Sequence, residues 1–220
     1  MHTASMDVKR KPRRATIDRR VAQGEETRQA LVTAARDLFG EQGYAATSTE
    51  EIVARAGVTK GALYHHFTDK EQLFRAVFEQ VQQEVSDAAV VEFLQPDSWE
   101  ALVVGCRLWV DAHSDPAIRQ IALIDARGVL GWETARIIET RFSTVALRGA
   151  LRKAMHAGVI ERQPLRPLAL MLIGALSEAC LYVAESDDSE LAHVEVGELI
   201  VRLLSGLRAT NKAAVASRSR

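Results

Sequence analysis

The stretch from Thr47 to Lys70 constrains the fold of this chain most, because it contains the starts of three helices within 24 residues. An S/T-x-x-E capping box, at either Thr47 or Ser48, begins the first helix. Gly57 occupies the position at which a helix end needs a left-handed residue, and Thr59 is an N-cap for the second helix. Two short helices joined by a glycine-containing turn, with a third directly after them, predict a helix-turn-helix.

Apolar residues at helical spacing predict a longer helix on each side of this motif. The first runs from about Glu25 to Glu41 and ends at Gly43. The second begins at a further capping box that starts with Thr68, and it continues to about Phe93. We expect the first helix to hold the reading helix at a fixed angle. The second is expected to connect the motif mechanically to the rest of the chain.

The same residues give the chain a resemblance to a known family. The pattern I-x-x-x-A-G-V-x-x-G-x-L-Y-x-H-F-x-x-K resembles that of the TetR family of bacterial transcriptional regulators. It is formed here by Ile52, Ala56, Gly57, Val58, Gly61, Leu63, Tyr64, His66, Phe67 and Lys70. The resemblance covers about residues 25–78, and the remainder is similar only in length and helical character. It implies a ligand-responsive dimer that binds double-stranded DNA.

The N-terminal part of the second motif helix is expected to meet base edges in the major groove. Lys60 is its only long donor and favours guanine, Gly61 lets the backbone approach the DNA closely, and Ala62 can touch a thymine methyl group. The other expected contacts are mainly to phosphates, and the resemblance implies DNA contact at the same positions: Ser48, Thr49, Thr59, Tyr64, His65 and Lys70. The competing interpretations are a solvated Lys60 and a Tyr64 that is only a core aromatic.

Charge is distributed unevenly, although the whole chain has a net charge of −1. Residues 1–70 contain 12 Lys and Arg against 9 Asp and Glu, whereas the remainder contains 16 against 20. Seven of the basic residues lie within residues 1–20, where almost nothing apolar is available to fold around. We expect this segment to be a disordered arm, which either only keeps the protein soluble or adds phosphate and minor-groove contacts.

No segment has a convincing strand pattern, and Ala, Leu, Val, Arg and Glu dominate the composition. The predicted fold is therefore all-α, with a three-helix N-terminal DNA-binding domain and a larger C-terminal helical domain. We expect the arm at residues 1–20 and the helix-turn-helix domain at 21–70. The effector-binding and dimerisation domain should follow at 71–207, and a flexible tail at 208–220.

The C-terminal helices contain polar residues scattered among apolar ones, as in a pocket whose few polar groups converge on a small molecule. Trp109, His113 and Trp132 are the candidate ligand contacts, because they flank predicted junctions around Asp115 and Gly131. The competing interpretation is that these residues belong to an ordinary core. The corresponding alternative for function is a DNA-binding protein without a small-molecule effector.

Two segments near the C-terminus predict a homodimer. Residues 168–184 are apolar on nearly every face, so a second face needs a partner beyond the domain itself. Glu178 at their centre and their short length favour an interface helix over a membrane span. An apolar stripe on the final helix contains Val196, Leu199, Ile200, Leu203 and Leu207. The family resemblance implies a four-helix interface, whose two-fold symmetry matches a palindromic operator.

Other classes of function find little support in the sequence. Cys106 and Cys180 lie far apart in apolar surroundings and have neither metal-site nor disulfide spacing. The sequence contains no nucleophile elbow, zinc-protease motif or phosphate-binding glycine loop, and it begins without an apolar signal segment. We therefore expect a cytoplasmic regulator that is not an enzyme and uses no cofactor. A repressor released from DNA by an effector is the preferred function, and a transcriptional activator of the same fold is the alternative.

Overall fold

The computed structural model describes residues 13–209, with side chains from residue 21 onward, and it confirms the all-α fold. These residues form ten α-helices, two π-helical turns and one isolated antiparallel bridge between Ile160 and Arg208. The α-helices are α1 (Arg13–Ala46), α2 (Thr49–Ala56), α3 (Lys60–His66), α4 (Lys70–Phe93), α5 (Ser98–Ser114), α6 (Pro116–Arg119), α7 (Ala126–Glu139), α8 (Val145–His156), α9 (Leu165–Glu185) and α10 (Ser189–Ser205). The π-helical turns Gln120–Asp125 and Thr140–Thr144 precede and follow α7.

Helices α1–α3 form the helix-turn-helix unit, in which the predicted caps are present. Ser48 and Glu51 form the capping box of α2, which decides between the two boxes that the sequence allowed. Gly57 ends α2 in the left-handed conformation, with φ 66° and ψ 30°. The Thr59 hydroxyl accepts a hydrogen bond of 3.1 Å from the N–H of Ala62 in the first turn of α3. The core of the unit includes the buried side chains of Leu38, Phe39, Ile52, Leu63 and Phe67.

The helices that flank α2 and α3 differ in detail from the prediction. Helix α1 already begins at Arg13, within the segment expected to be a disordered arm, and residues 1–12 of that arm lie outside the described residues. Gly43 has a non-helical backbone, with φ 80° and ψ 165°, so the regular helix ends there as predicted and a last turn beyond this kink reaches Ala46. Asp69 rather than Thr68 caps α4, because its carboxylate accepts a hydrogen bond of 2.7 Å from the backbone N–H three residues later.

Helix α4 belongs to both parts of the molecule, as predicted. The Phe74 ring packs on the Phe39 ring of α1 at a centroid distance of 5.3 Å. Nineteen residues further along the chain, Phe93 packs against Gly105 of α5. A helix of 24 residues is ~36 Å long, so α4 can transmit a displacement from one part to the other.

Helices α5–α10 form the C-terminal bundle. Asp115 caps α6 with Pro116 in the first helical position, because proline has no N–H that would need a partner there. Behind α8 the chain pairs with the residues that follow α10, through hydrogen bonds between segments 159–161 and 207–209. The start of the predicted flexible tail is therefore attached to the bundle, and residues 210–220 lie outside the described residues.

Candidate nucleic-acid interface and effector core

Helix α3 exposes one face, and this face contains most of the residues predicted to read DNA. Leu63 and Phe67 are buried within the helix-turn-helix unit, which turns the opposite side of α3 toward solvent. The exposed positions are Thr59, Lys60, Gly61, Tyr64 and His65, whereas Ala62 is half-buried. The predicted residues thus lie together on one surface, as reading of a major groove requires.

Lys60 forms an ion pair in the free protein. Its Nζ lies 2.5 Å from Oε1 of Glu50 on α2, and both side chains are exposed. The hydrogen bond from Lys60 lowers the pKa of Glu50 to about 2, so Glu50 is ionised at neutral pH. An exposed pair of this kind contributes little to stability. The ammonium group can therefore exchange the carboxylate for a base or phosphate oxygen at low cost.

Gly61 has open space where a side chain would stand. A Cβ atom there would meet only the Thr59 hydroxyl, at 3.8 Å, so no contact inside the protein requires glycine. Glycine within a helix costs roughly 1 kcal/mol relative to alanine. Gly128 of α7 is equally exposed and open, so the open space at Gly61 permits a close approach of DNA but does not by itself require one.

Ser48 and Thr49 are half-buried at the N-terminal end of α2. The Ser48 hydroxyl donates a hydrogen bond of 2.7 Å to the Glu51 carboxylate, and the Thr49 hydroxyl donates one of 3.1 Å to Glu50. Both hydroxyls therefore have partners within α2. The end of the helix still presents its partial positive charge toward a phosphate.

Lys70 has a structural role that the sequence did not suggest. Its Nζ donates hydrogen bonds to the carbonyl oxygens of Tyr44, at 2.9 Å, and Thr47, at 2.8 Å. It also lies 4.0 Å from the centroid of the Tyr44 ring. A cation at the end of a helix compensates for carbonyl groups without helical partners. Lys70 therefore stabilises the end of α1 in the free protein, and its phosphate contact stays a prediction.

Other cations of the helix-turn-helix unit also pair with carboxylates of the protein. Arg55 makes two hydrogen bonds to Glu41, of 2.9 and 3.1 Å, and Arg36 reaches Glu84 of α4 at 2.8 Å. Residues 21–70 contain five Lys and Arg against seven Asp and Glu, whereas residues 1–20 contain seven against two. The positive charge at this end of the chain therefore comes from the first twenty residues.

Trp109 and His113 are stacked and buried on successive turns of α5, with ring centroids 3.9 Å apart. The Nδ1 atom of His113 lies 2.8 Å from the Trp109 carbonyl oxygen. A carbonyl only accepts, so Nδ1 carries the proton and Nε2 is left as an acceptor. Burial lowers the pKa of His113 to about 4, which keeps the ring neutral at pH 7. Within the part of the chain that the structure describes, neither Nε2 of His113 nor Nε1 of Trp109 has a hydrogen-bond partner.

Trp109 lines a small cavity between α4, α5, the second π-helical turn, α8 and α9. Two hydroxyl side chains, Ser86 and Ser143, also line it, and the Ser143 hydroxyl donates a hydrogen bond of 3.1 Å to Gln82. The other lining residues are apolar or are the thiol of Cys106, whose pKa burial raises to about 12. The cavity has a volume of about 10 Å³. In this conformation it has room for at most one water molecule.

Trp132 does not belong to this core. Its side chain is 61% exposed, and the Arg127 guanidinium lies 4.7 Å from its ring centroid. The same guanidinium is 3.7 Å from the Glu139 carboxylate, so Trp132 lies beside a surface ion pair. The prediction that the bundle buries Trp132 with Trp109 and His113 is therefore wrong, and its ligand contact stays a prediction.

Comparison with known proteins identifies the family. Residues 31–77 match bacterial regulatory proteins of the tetR family, and residues 99–207 match the tetracyclin repressor-like C-terminal domain. The Transposon Tn10 TetC protein of Escherichia coli is 32% identical over 132 residues, which cover 60% of this chain and 67% of that protein. The crystal structure of a TetR-family regulator from Pectobacterium atrosepticum is 33% identical and has a TM-score of 0.72, and the match covers 86% of this chain and 97% of that one. The chain belongs to the TetR family.

A more distant TetR-family fold is seen in the crystal structure of RolR in complex with its ligand resorcinol. That structure is 24% identical to this chain, with a TM-score of 0.64, and the match covers 83% of this chain and 89% of that one. At this level of identity the similarity concerns the fold alone.

In this TetR-family regulator, contacts that sequence reasoning missed join the helix-turn-helix unit to the C-terminal bundle. A Cβ atom on Gly40 of α1 would overlap the Cβ of Ala117 in α6 and would lie 3.1 Å from its Cα. The backbone N–H of Tyr44 donates a hydrogen bond of 2.8 Å to the carboxylate of Asp125, at the end of the first π-helical turn. Gly40 was the one residue whose type could have indicated this contact. A glycine inside a helix can mark a site of close packing, but the rules for helices do not distinguish that case from a merely unfavourable residue.

Proposed function

We propose that this regulator binds a palindromic operator in double-stranded DNA as a homodimer, represses transcription there, and dissociates when a small molecule enters the C-terminal bundle. Residues 21–70 recognise DNA in this proposal, and residues 71–207 bind the effector and the second subunit. The observation that supports DNA reading best is the exposed face of α3, on which Lys60, Gly61 and Tyr64 lie together opposite the buried Leu63.

The proposed DNA contacts are of two kinds. Lys60 exchanges Glu50 for the O6 and N7 atoms of a guanine, while Gly61 and Ala62 approach the base edges. The remaining contacts position the protein on the phosphate backbone. They involve Ser48, Thr49, Thr59, Tyr64, His65 and Lys70. This division predicts that only Lys60 and its neighbours change the preferred operator sequence.

The proposed dimer interface consists of α9 and α10. Met171, Tyr182, Leu199 and Leu203 are each more than half exposed on these helices. Apolar groups also line a groove of about 120 Å³ between the two helices. Exposing such a surface to water is unfavourable, and the same surface of a second copy can cover it.

Helix α9 is also the helix of the described residues that is long and apolar enough to cross a membrane. It packs against α5, α8 and α10, however, and core helices of bundles have the same length and composition. We therefore assign it to the interface of a cytoplasmic protein rather than to a membrane.

The proposed effector site is the region around Trp109 and His113. Both rings are buried, and each has a polar atom without a partner among the described residues. The complex of RolR with resorcinol supports the idea that a protein of this fold binds a small molecule. Effector binding releases DNA only if the DNA-incompetent conformation binds the effector more tightly than the competent one. Two links can transmit that difference in this chain, namely α4 and the contacts of Gly40 and Tyr44 with the bundle.

The proposal is tested by sequencing the genomic DNA fragments that the purified protein retains. We expect one palindromic motif, with half-sites separated by one helical turn of DNA or a multiple of it, about 10 base pairs each. Gly61→Leu should abolish retention, because a bulky side chain prevents the close approach. The matched control is Gly128→Leu, at another exposed helical glycine with no neighbour within 4 Å, and it should retain the same fragments.

Two results would contradict the DNA-reading proposal. Fragments without a common motif would exclude a specific operator, and unchanged affinity of the Gly61→Leu variant would exclude close approach at α3. A reporter gene placed behind the recovered operator then separates repression from activation, since only a repressor lowers its expression.

A further inference from the structure

The Glu50 carboxylate lies on the same surface as the residues that are expected to read DNA. Glu50 belongs to the first turn of α2, and its Oε1 atom is 2.5 Å from Nζ of Lys60 in the first turn of α3. Both side chains are more than half exposed. The ion pair therefore bridges the starts of the two motif helices, and a duplex that contacts Lys60 also meets Glu50.

Glu50 is held in this position from its own helix as well. The Thr49 hydroxyl donates a hydrogen bond of 3.1 Å to Oε2, so each carboxylate oxygen has one donor. The hydrogen bond from Lys60 is the main cause that lowers the pKa of Glu50 to about 2. An ordinary glutamate is also ionised at pH 7. The carboxylate therefore keeps its charge and its hydrogen bond from Thr49 when Lys60 turns to a base.

A carboxylate on this surface is unfavourable for DNA binding unless the DNA supplies a donor for it. Phosphates are negatively charged, and residues 21–70 contain five Lys and Arg against seven Asp and Glu. An unpaired carboxylate pressed against the duplex loses its water without gaining a partner. In the major groove the N4 amino group of cytosine is the donor to which glutamate side chains bind.

The ion pair has the same arrangement of donor and acceptor groups as the major-groove edge of a G·C base pair, with the signs reversed. Guanine presents two acceptors, N7 and O6, and cytosine presents one donor, N4. O6 and N4 are joined by a hydrogen bond within the base pair, so they lie about 2.9 Å apart. The ammonium of Lys60 and the carboxylate of Glu50 have a similar separation. Each can thus exchange the other for one base of a single pair.

We propose that Glu50 is a specificity-determining residue, which accepts a hydrogen bond from N4 of the cytosine whose paired guanine is bound by Lys60. This assignment rests on the proposed function, in which Lys60 reads a guanine of the operator. The two side chains together then specify one base pair in each half-site. At an A·T pair the adenine N6 donor would face the ammonium and the thymine O4 acceptor would face the carboxylate, so both contacts would be lost.

The test uses the full-length protein and a duplex with the operator that it retains. Lys60→Ala first identifies the base pair concerned, as the position at which this variant relaxes the sequence preference. Glu50→Ala should reduce the discrimination of G·C against A·T at the same base pair about tenfold, which corresponds to about 1.4 kcal/mol. The variant should also bind DNA of unrelated sequence more tightly, because a negative charge is removed from the surface.

Glu41→Ala is the matched control. Glu41 is also an exposed carboxylate of the helix-turn-helix unit in an ion pair, and its substitution removes the same charge. Its partner Arg55 lies in the last turn of α2, at the opposite end of the helix from Glu50. We expect Glu41→Ala to keep the preference of the unaltered protein at every base pair.

Modified bases distinguish a contact with cytosine from an effect of Glu50 on the position of Lys60. Pyrimidin-2-one lacks the N4 amino group but still pairs with guanine, and 7-deazaguanine lacks only N7. Pyrimidin-2-one should weaken binding of the unaltered protein and of Glu41→Ala about tenfold, and it should not weaken binding of Glu50→Ala. 7-Deazaguanine should weaken binding of the unaltered protein and of Glu50→Ala alike, because Lys60 makes its own contact in both.

Each outcome decides for or against the contact with cytosine. If Glu50→Ala keeps the full preference at the base pair that Lys60→Ala relaxes, the proposal is overturned while the proposed function stands. An equal loss with pyrimidin-2-one in the unaltered protein and in Glu50→Ala would also overturn it, since the modified duplex itself would then be the cause. If Lys60→Ala relaxes no base pair, or if no operator is recovered, the reading of DNA by α3 fails and the role of Glu50 fails with it.

Discussion

The helix-turn-helix unit and the C-terminal bundle differ in the surfaces that they leave exposed and in the side chains that they bury. Ser48, Thr59 and Asp69 each cap the helix that follows them, so the backbone donors around the reading helix have local partners. The bundle instead buries Trp109 and His113 with unpaired atoms, and it leaves apolar side chains of α9 and α10 in contact with solvent.

Capping itself does not distinguish the two regions, because Asp97, Asp115 and Asp188 cap helices of the bundle as well. Among the described residues, Nε of Arg36 in α1 is also buried without a partner. The clearer difference is the exposed apolar surface of α9 and α10, which gains free energy when a second subunit covers it.

The two regions also differ in the regularity of their helices. The capped unit should move as one body, since its own buried core has no part in binding a ligand. The bundle has two π-helical turns on the path from α6 to α8, and such turns are frequent at functional sites. The first ends at Asp125, which is bonded to α1, and the second provides Ser143 to the cavity. One π-helical turn thus contacts the helix-turn-helix unit, and the other lines the cavity beside Trp109.

The largest expected effect comes from breaking the exposed apolar surface of the bundle. Leu203→Arg places a charge in the proposed dimer interface, where it would be buried without a partner. We expect a folded monomer whose operator affinity is lower by about 100-fold or more, because its two half-site contacts are no longer linked. Sedimentation velocity reports the mass, and gel-shift titration reports the affinity. Val91→Arg, at an exposed apolar position of α4, is the control that should remain a dimer, and a dimeric Leu203→Arg protein would refute the interface.

A second prediction concerns the positive charge of residues 1–20, which residues 21–70 lack. Replacing Lys9, Arg10 and Lys11 by alanine should reduce the slope of log affinity against log salt concentration by about 2–3 per subunit, if each contacts one phosphate. Binding titrations between low and physiological salt measure this slope. The control replaces three exposed arginines of the bundle, Arg152, Arg162 and Arg166, and should leave the slope unchanged. An unchanged slope in the first variant would reduce the arm to a solubilising role.

Sequence rules describe the first region better than the second, for a physical reason. Caps and turns depend on residues within four positions of one another, so Thr59, Gly57 and the capping box could be read directly from the sequence. The position of Trp132 depends instead on how a whole bundle packs, and periodicity alone did not place it at the surface.

The structural role of Lys70 was missed for a similar reason. Its ammonium bonds carbonyl groups 23 and 26 residues away in the chain, a distance beyond the reach of local patterns. The contacts between the two regions were missed for the same reason, because Gly40 and Ala117 are far apart in sequence. The sequence could therefore predict the fold class, the exposed face of α3 and the length of α4.

A third prediction tests the contact that joins the two regions. Gly40→Ala should lower the free energy of unfolding by about 1–3 kcal/mol, because the new methyl group overlaps the Ala117 methyl and neither helix can yield without moving the other. Ala117→Gly in the same protein should restore much of the loss, since the Cβ contact disappears. Chemical denaturation of both single variants and the double variant completes the cycle. Additive effects would show that the two positions do not touch.

The smallest expected effect is a difference in stability between substitutions of two lysines of the helix-turn-helix unit, Lys60 and Lys70. The Lys70 ammonium is half-buried and bonds two carbonyl oxygens at the end of α1, whereas Lys60 is paired only with an exposed carboxylate. Lys70→Ala should therefore lower the free energy of unfolding by about 1–2 kcal/mol, and Lys60→Ala should change it by less than about 0.5 kcal/mol.

For DNA binding we expect the reverse: Lys60→Ala should change the sequence preference, and Lys70→Ala should not. Lys60→Ala should weaken binding by about 1–3 kcal/mol and relax the preference at one base pair of each half-site, since an amine that reads guanine is removed. Lys70→Ala should weaken binding to all sequences alike, in step with its loss of stability. Competition with single-base operator variants, run beside denaturation curves, measures both quantities. If Lys70→Ala leaves stability intact and only reduces the salt slope by about one per subunit, its role is a phosphate contact and the two lysines share the DNA surface.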